Sequence, residues 1–90
     1  MFVEIFGWDP DHLVCKPCLN AKNLVKTRNM DHVFYPMAKL SVTEEHKVNK
    51  MELSNRAAKL GFVVATLPQI FVDGKHIGGF DDFKAYANGL

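Results

Sequence analysis

The only two cysteines of the chain stand two residues apart, in Cys15-Lys16-Pro17-Cys18. Three chemistries use such a pair: a structural disulfide, half of a metal site, or a dithiol redox centre. A staple is poorly served. Chain-entropy stabilisation grows with the length of the closed loop, and this loop is very short. Zinc takes four ligands and finds two thiolates here. His12, His32, His46 and His76 are scattered along the chain, and none forms an H-x-x-x-H type of pair. The redox reading fits best. Cys15 falls where a loop gives way to a helix, so free backbone amides and the positive end of the helix dipole favour its thiolate. Lys16 adds a cation. Cys18, one turn further in, can attack a mixed disulfide on Cys15. Cys15 is therefore the expected nucleophile and Cys18 the resolving thiol. Pro17 is tolerated in the first turn because its missing N–H would be unpaired there anyway.

The elements that must position this pair can be read in order. Met1 to Phe6 reads as a strand that Gly7 stops, and Trp8 to Val14 as a polar loop. From Cys15 the period is helical, with Leu19, Ala21, Leu24 and Val25 on one face and Lys22, Lys26 and Arg28 pointing away. That basic stripe reads most simply as a solvated face, with steering of an acidic partner as the alternative. His32 to Tyr35 reads as a strand, and Pro36 suits a sheet edge. Ser41-Val42-Thr43-Glu44 has the form of a capping box. A helix follows to Leu60, with Gly61 as its stop and room for a break near Ser54. Phe62 to Thr66 fits either a strand or irregular chain. Gln69 to Val72 and Lys75 to Ile77 read as strands joined by the Asp73-Gly74 turn. Phe80, Phe83, Tyr86, Ala87 and Leu90 then recur at helical spacing. The order is β-α-β-α-β-β-α. The first half requires parallel strands, and the second ends in an antiparallel hairpin. A four-stranded mixed sheet flanked by helices is the simplest α/β assembly.

Composition narrows the function. Ninety residues, 48% of them apolar, make one small domain, residues 1–90. A net charge of +1 points to neither nucleic acid nor an anionic membrane surface as partner. No apolar run approaches the roughly 20 residues that span a bilayer, and the N-terminus does not read as a signal peptide. The expected setting is a reducing cytoplasm, where lasting structural disulfides are rare.

With these residues in hand, the chain resembles the glutaredoxins, within the thioredoxin fold. Cys15-Lys16-Pro17-Cys18 matches the C-x-x-C after the first strand. The block TLPQIFVDGKHIGGFDDF, Thr66 to Phe83, is similar to the family's T-V-P and I-G-G blocks. The likeness covers essentially the whole chain. The loop GWDPDHLV and the ending HIGGFD look most like the small glutaredoxins of T-even-type bacteriophages, which donate electrons to ribonucleotide reductase. The resemblance implies a thioredoxin-like fold and a monomeric dithiol oxidoreductase with glutathione as co-substrate. Some family members form an iron–sulfur-bridged dimer, but Pro17 restricts the loop at the sulfur, so no metal is expected. The resemblance also implies disulfide proteins such as ribonucleotide reductase as partners, and the host bacterial cytoplasm if the chain is phage-encoded. It further implies a cis peptide before Pro68, which turns the Leu67 backbone towards a substrate cysteine as a short strand would. The implied glutathione-binding residues are Lys16, Thr66, Leu67, Pro68, Gly79, Phe80, Asp81 and Asp82. In this scheme the amides opening the last helix take the γ-glutamyl carboxylate. Asp81 takes the ammonium group beside it. The bare reading of Asp81 or Asp82 is a helix cap. Trp8 is read as an apolar wall beside the thiol or, alternatively, as core, and His12 as a surface residue rather than a proton shuttle.

Two departures matter. Most dithiol glutaredoxins carry a lysine in the loop before the first cysteine and a tyrosine inside the motif. Here the loop is acidic, with Asp9 and Asp11, and the motif holds Lys16 and Pro17. Pro17 resembles the thioredoxin motif, so a thioredoxin reductase is the alternative electron source. A thioredoxin-fold binding module without catalysis is the rival of another class. Proline removes an amide near the sulfur. The expected potential therefore lies between about −200 to −230 mV for glutaredoxins and about −270 mV for thioredoxin. A measured value more oxidising than the glutaredoxin range contradicts this.

Overall fold

The computed structural model describes residues 1–90. The elements are β1 (Phe2–Trp8), α1 (Lys16–Thr27), β2 (Asp31–Met37), α2 (Glu44–Leu60), β3 (Gln69–Val72), β4 (Lys75–Gly78) and α3 (Phe80–Asn88). The strands form one sheet in the order β2-β1-β3-β4. β1 and β2 run parallel, joined by the α1 crossover, while β3 is antiparallel to both β1 and β4. No helix is long and apolar enough to cross a membrane.

β1 lies inside the sheet and is covered on both faces, so five successive residues, Val3 to Gly7, are buried. Val3 and Ile5 face Ala21 and Val25 of α1 and Phe83 of α3. Phe6 faces Leu53 of α2, with Met37 and Phe71 beside it. The alternation of side chains along β1 thus sorts the helices: α1 and α3 on one face, α2 on the other.

Several boundaries differ from the sequence reading. Gly7 does not stop β1; it pairs with Pro36 in the parallel ladder. A Cβ at this position would lie 2.7 Å from the Phe34 ring and 3.2 Å from the Cys18 sulfur. The glycine serves close approach, not termination. β2 extends through Pro36 to Met37, and as an outer strand it accommodates a proline. α2 runs unbroken through Ser54. Its cap is Thr43, not Ser41. Thr43 Oγ1 accepts the His46 N–H at 3.0 Å, and the His46 ring Nδ1 accepts the Thr43 N–H at 3.4 Å. A histidine therefore completes the box in place of the usual Glu or Gln. Thr43→Ala is expected to cost about 1 kcal/mol, read as a shifted urea midpoint at constant slope. Residues 62–66 form no strand. The Asp73-Gly74 turn has positive φ at both residues, 50° and 81°, as a type I′ hairpin needs.

The basic stripe on α1 is not simply solvated. Lys22 Nζ sits 4.4 Å from the centre of the Phe34 ring. Arg28 donates to the Ala87 carbonyl at 3.1 Å and to the Asn88 side chain at 2.6 Å, fastening the end of α3 to α1.

One polar network is built into the α2 face. Glu4 is buried within β1. It accepts two hydrogen bonds from Arg56, at 3.0 and 2.8 Å, and one from the Tyr35 hydroxyl at 2.9 Å. Arg56 also reaches Glu52 at 2.7 Å. No buried side-chain nitrogen or oxygen lacks a partner.

Candidate active site

Cys15 is the N-cap residue of α1. Its extended backbone, φ −124° and ψ 104°, leaves the side chain folded over the first turn. There its sulfur accepts the Cys18 N–H at 3.3 Å. Serine, threonine and aspartate oxygens usually do this job; here a sulfur does. Lys16 and Pro17 are the first two helical residues, so Pro17 sits where a donor is not missed.

Cys15 and Cys18 form a disulfide with Cα atoms 5.3 Å apart. The two sulfurs differ in access. Cys18 is 1% exposed, its sulfur packed beside Gly7, whereas Cys15 is half-buried at the surface. An incoming group can therefore reach Cys15 first.

Across from the disulfide runs Thr66-Leu67-Pro68. The Leu67–Pro68 peptide is cis, and the Leu67 carbonyl oxygen lies 4.0 Å from the Cys15 sulfur. Gln69 anchors this segment by donating to the Thr66 carbonyl at 2.8 Å. Its side-chain oxygen lies 2.7 Å from His76 Nε2, which therefore carries a proton. The His76 ring stacks on Phe62 at 3.6 Å. Desolvation lowers the His76 pKa, an effect that nearby Asp82 opposes only in part. Sequence reading missed this Thr66–Gln69–His76 relay. Its only signal was the placement of two polar residues on facing strands of a hairpin.

α3 begins beyond Gly78 and Gly79. Gly79 is its N-cap and provides no side-chain cap. Neither Asp81 nor Asp82 caps the helix, so that bare reading fails, and the first amides of α3 keep free donors. Gly78 has φ +123°, and a Cβ on it would come 2.5 Å from the Asp82 carboxylate. Only glycine fits this tight entry.

These segments enclose one open cleft of about 840 Å³. Lys16, Pro17 and Asn20 form its α1 side, Thr66, Leu67, Pro68 and Gln69 its floor, and Gly78 to Asp82 its far wall. All eight residues of the proposed glutathione set, from Lys16 to Asp82, border it. Asn20, Val63, Gln69 and His76 also line it and were not foreseen. Phe80 both lines the cleft and packs against the α1–α3 core. Trp8 does not line it; its ring packs against the Phe6–Leu53 cluster on the opposite face.

The glutaredoxin family model matches residues 3–77. Glutaredoxin of enterobacteria phage T4 is 32% identical over 85 residues, covering 92% of this chain and 95% of that one. Glutaredoxin 1 of Salmonella typhimurium is 36% identical over 87 residues, covering 97% and 91%. The solved structure of reduced Escherichia coli glutaredoxin aligns with a TM-score of 0.66 at 31% identity, over 99% of this chain and 95% of its own. The mixed sheet with its three helices is thus a thioredoxin-like fold, and its C-x-x-C pair is a redox centre. Sheet order, capping sulfur and relatives agree: this chain belongs to the glutaredoxin family and is a thiol–disulfide oxidoreductase.

Proposed function

We propose that the chain is a dithiol glutaredoxin that draws electrons from glutathione in the cytoplasm. In this reading it reduces protein disulfides, ribonucleotide reductase among them, and glutathione mixed disulfides. The observation that carries the reading is the half-buried but accessible Cys15 sulfur at the amide end of α1, beside a cleft whose far wall is the uncapped start of α3.

The steps follow from access. The Cys15 thiolate attacks one sulfur of the substrate disulfide, forming a Cys15–substrate bond and expelling the other sulfur as a thiolate that takes up a proton. Cys18 then attacks Cys15, and the second substrate thiol leaves. One glutathione attacks the resulting Cys15–Cys18 disulfide at Cys15 and frees Cys18. A second removes the first as glutathione disulfide. Glutathione lies in the cleft with its γ-glutamyl carboxylate on the amides of Phe80 and Asp81 and its ammonium on Asp81, with Asp82 and Gly79 completing that end. Leu67 offers its backbone beside Pro68 and Thr66. Lys16 takes the glycine carboxylate, replacing the loop lysine that this chain lacks.

Pro17 keeps the thioredoxin-type donor as the competing outcome. Turnover is measured with reduced glutathione alone, and with NADPH plus thioredoxin reductase. Turnover with glutathione alone supports the proposal; turnover only with the second system overturns it. Mixed disulfides trapped by Cys18→Ser in a lysate identify the protein substrates. Ribonucleotide reductase among them supports that target.

A further inference from the structure

Away from the cleft, the fold gathers three ligand-type side chains that are 37 residues apart at most: Asp9, His12 and His46. One ligand atom from each lies within 4.8 Å of the others. Asp9 begins the loop that leads to Cys15, and His46 is buried in the first turn of α2. The four histidines look scattered in the sequence, and only the packing of this loop on α2 brings two of them together. Their rings meet edge to face at 5.2 Å.

We propose that Asp9, His12 and His46 form a binding site for a divalent transition cation of the zinc class, separate from the dithiol. Two imidazoles and one carboxylate are a ligand set that such cations take, with water in the fourth position. His46 is 1% exposed and its Nε2 lies 2.9 Å from Asp9 Oδ2. That pair is preorganised, because the Asp9 N–H donates to the Met37 carbonyl at 2.7 Å and Asp11 N–H donates back to the Asp9 side chain at 3.0 Å.

Two adjustments complete the site. Zinc–nitrogen bonds of about 2.0–2.1 Å give a ligand–ligand edge of about 3.4 Å. A widest pair at 4.8 Å therefore closes by about 1.4 Å, which exposed His12 achieves by rotating its ring. In the metal-free protein the His46 proton sits on Nε2, facing the carboxylate, while Nδ1 accepts the Thr43 N–H. A cation on Nε2 moves that proton to Nδ1. The contact given up is the long one, 3.4 Å, from Thr43. The cation would thus tie the loop before Cys15 to α2 while loosening the α2 cap.

The full chain is tested in its disulfide form, so that the thiols cannot bind metal. Zinc chloride is titrated by calorimetry, and cobalt(II) by its visible absorption. The expected result is one equivalent bound. His12→Ala, a change at an exposed residue, should weaken binding by more than about a hundredfold, beyond the roughly 10–100-fold of an outer-shell loss. The control His32→Ala should not. Nitrogen-15 spectra should show the His46 proton moving from Nε2 to Nδ1. No saturable binding, binding unaltered by His12→Ala, or an unchanged His46 tautomer in the zinc-bound protein each overturns the proposal.

Discussion

With serine at position 15, disulfide reduction is expected to fall by on the order of a thousandfold or more, because a hydroxyl is a far weaker nucleophile than a thiolate. The fold should not suffer. Cys15 occupies an N-cap, where its sulfur accepts the Cys18 N–H. Serine is among the best residues for that place. Unfolding in urea should therefore match the parent's, measured with the disulfide reduced in both. Serine at 18 should behave differently. The variant should still attack glutathione mixed disulfides, and with protein substrates it should stall as a Cys15 adduct visible by mass. Alkylation supplies the physical check. Cys15 sits at the amide end of α1, so iodoacetamide should label it near neutral pH well ahead of a free cysteine. If residue 15 reacted as slowly as cysteine in solution, the activated-thiolate account would fail. If C15S kept full activity, the chain would be a binding module.

The second large effect is on stability. Arg56→Ala is expected to destabilise the protein by about 3 kcal/mol. Breaking a buried ion pair costs about 3–5 kcal/mol because the partner charge stays behind. The low end applies because Arg56 keeps 24% of its side chain exposed, while Glu4 keeps only 11%. The loss includes the guanidinium's position over the Phe6 and Phe71 rings, at 5.1 and 4.8 Å. A cost below about 1 kcal/mol would reduce the network to an ordinary surface bridge. The same network sets a pH signature. The hydrogen bonds from Arg56 hold the Glu4 carboxyl below its ordinary 4.5. A depressed folded value means that the stabilisation is complete above pH 4.5 and fades as pH falls through the folded value. The gap between parent and Arg56→Ala should therefore narrow in strong acid, as read from urea midpoints across pH.

What could be read in the chain was what is local. The cysteine pair, the Asp73-Gly74 turn and the Gly78-Gly79 entry to α3 each carry their meaning within a few residues, and each proved to lie where read. The order of elements and the mixed sheet followed from the parallel crossover and the hairpin, whereas the strand order β2-β1-β3-β4 is settled only by the fold. Gly7 was misjudged because a glycine that ends a strand and one that admits a neighbouring ring look alike in one dimension. Ser41 to Glu44 matches the S-x-x-E box, whereas the actual box runs from Thr43 to His46, and a histidine is not a usual box partner. The Glu4–Arg56 pairing and the Asp9–His46 contact join residues 52 and 37 positions apart. No local rule connects such residues. The same holds for Trp8, whose side of the sheet is settled only by where α2 packs.

The depth at which Cys18 is stored has an outcome under oxidative stress. Peroxide can convert an accessible thiolate to sulfenic acid and, with more oxidant, to sulfinic acid, which ordinary thiols do not reverse. A sulfur 1% exposed beside Gly7 is shielded from that attack, yet it waits one helical turn from Cys15. A sulfenic acid on Cys15 is therefore captured as the disulfide before it climbs further, and two thiols can bring the enzyme back.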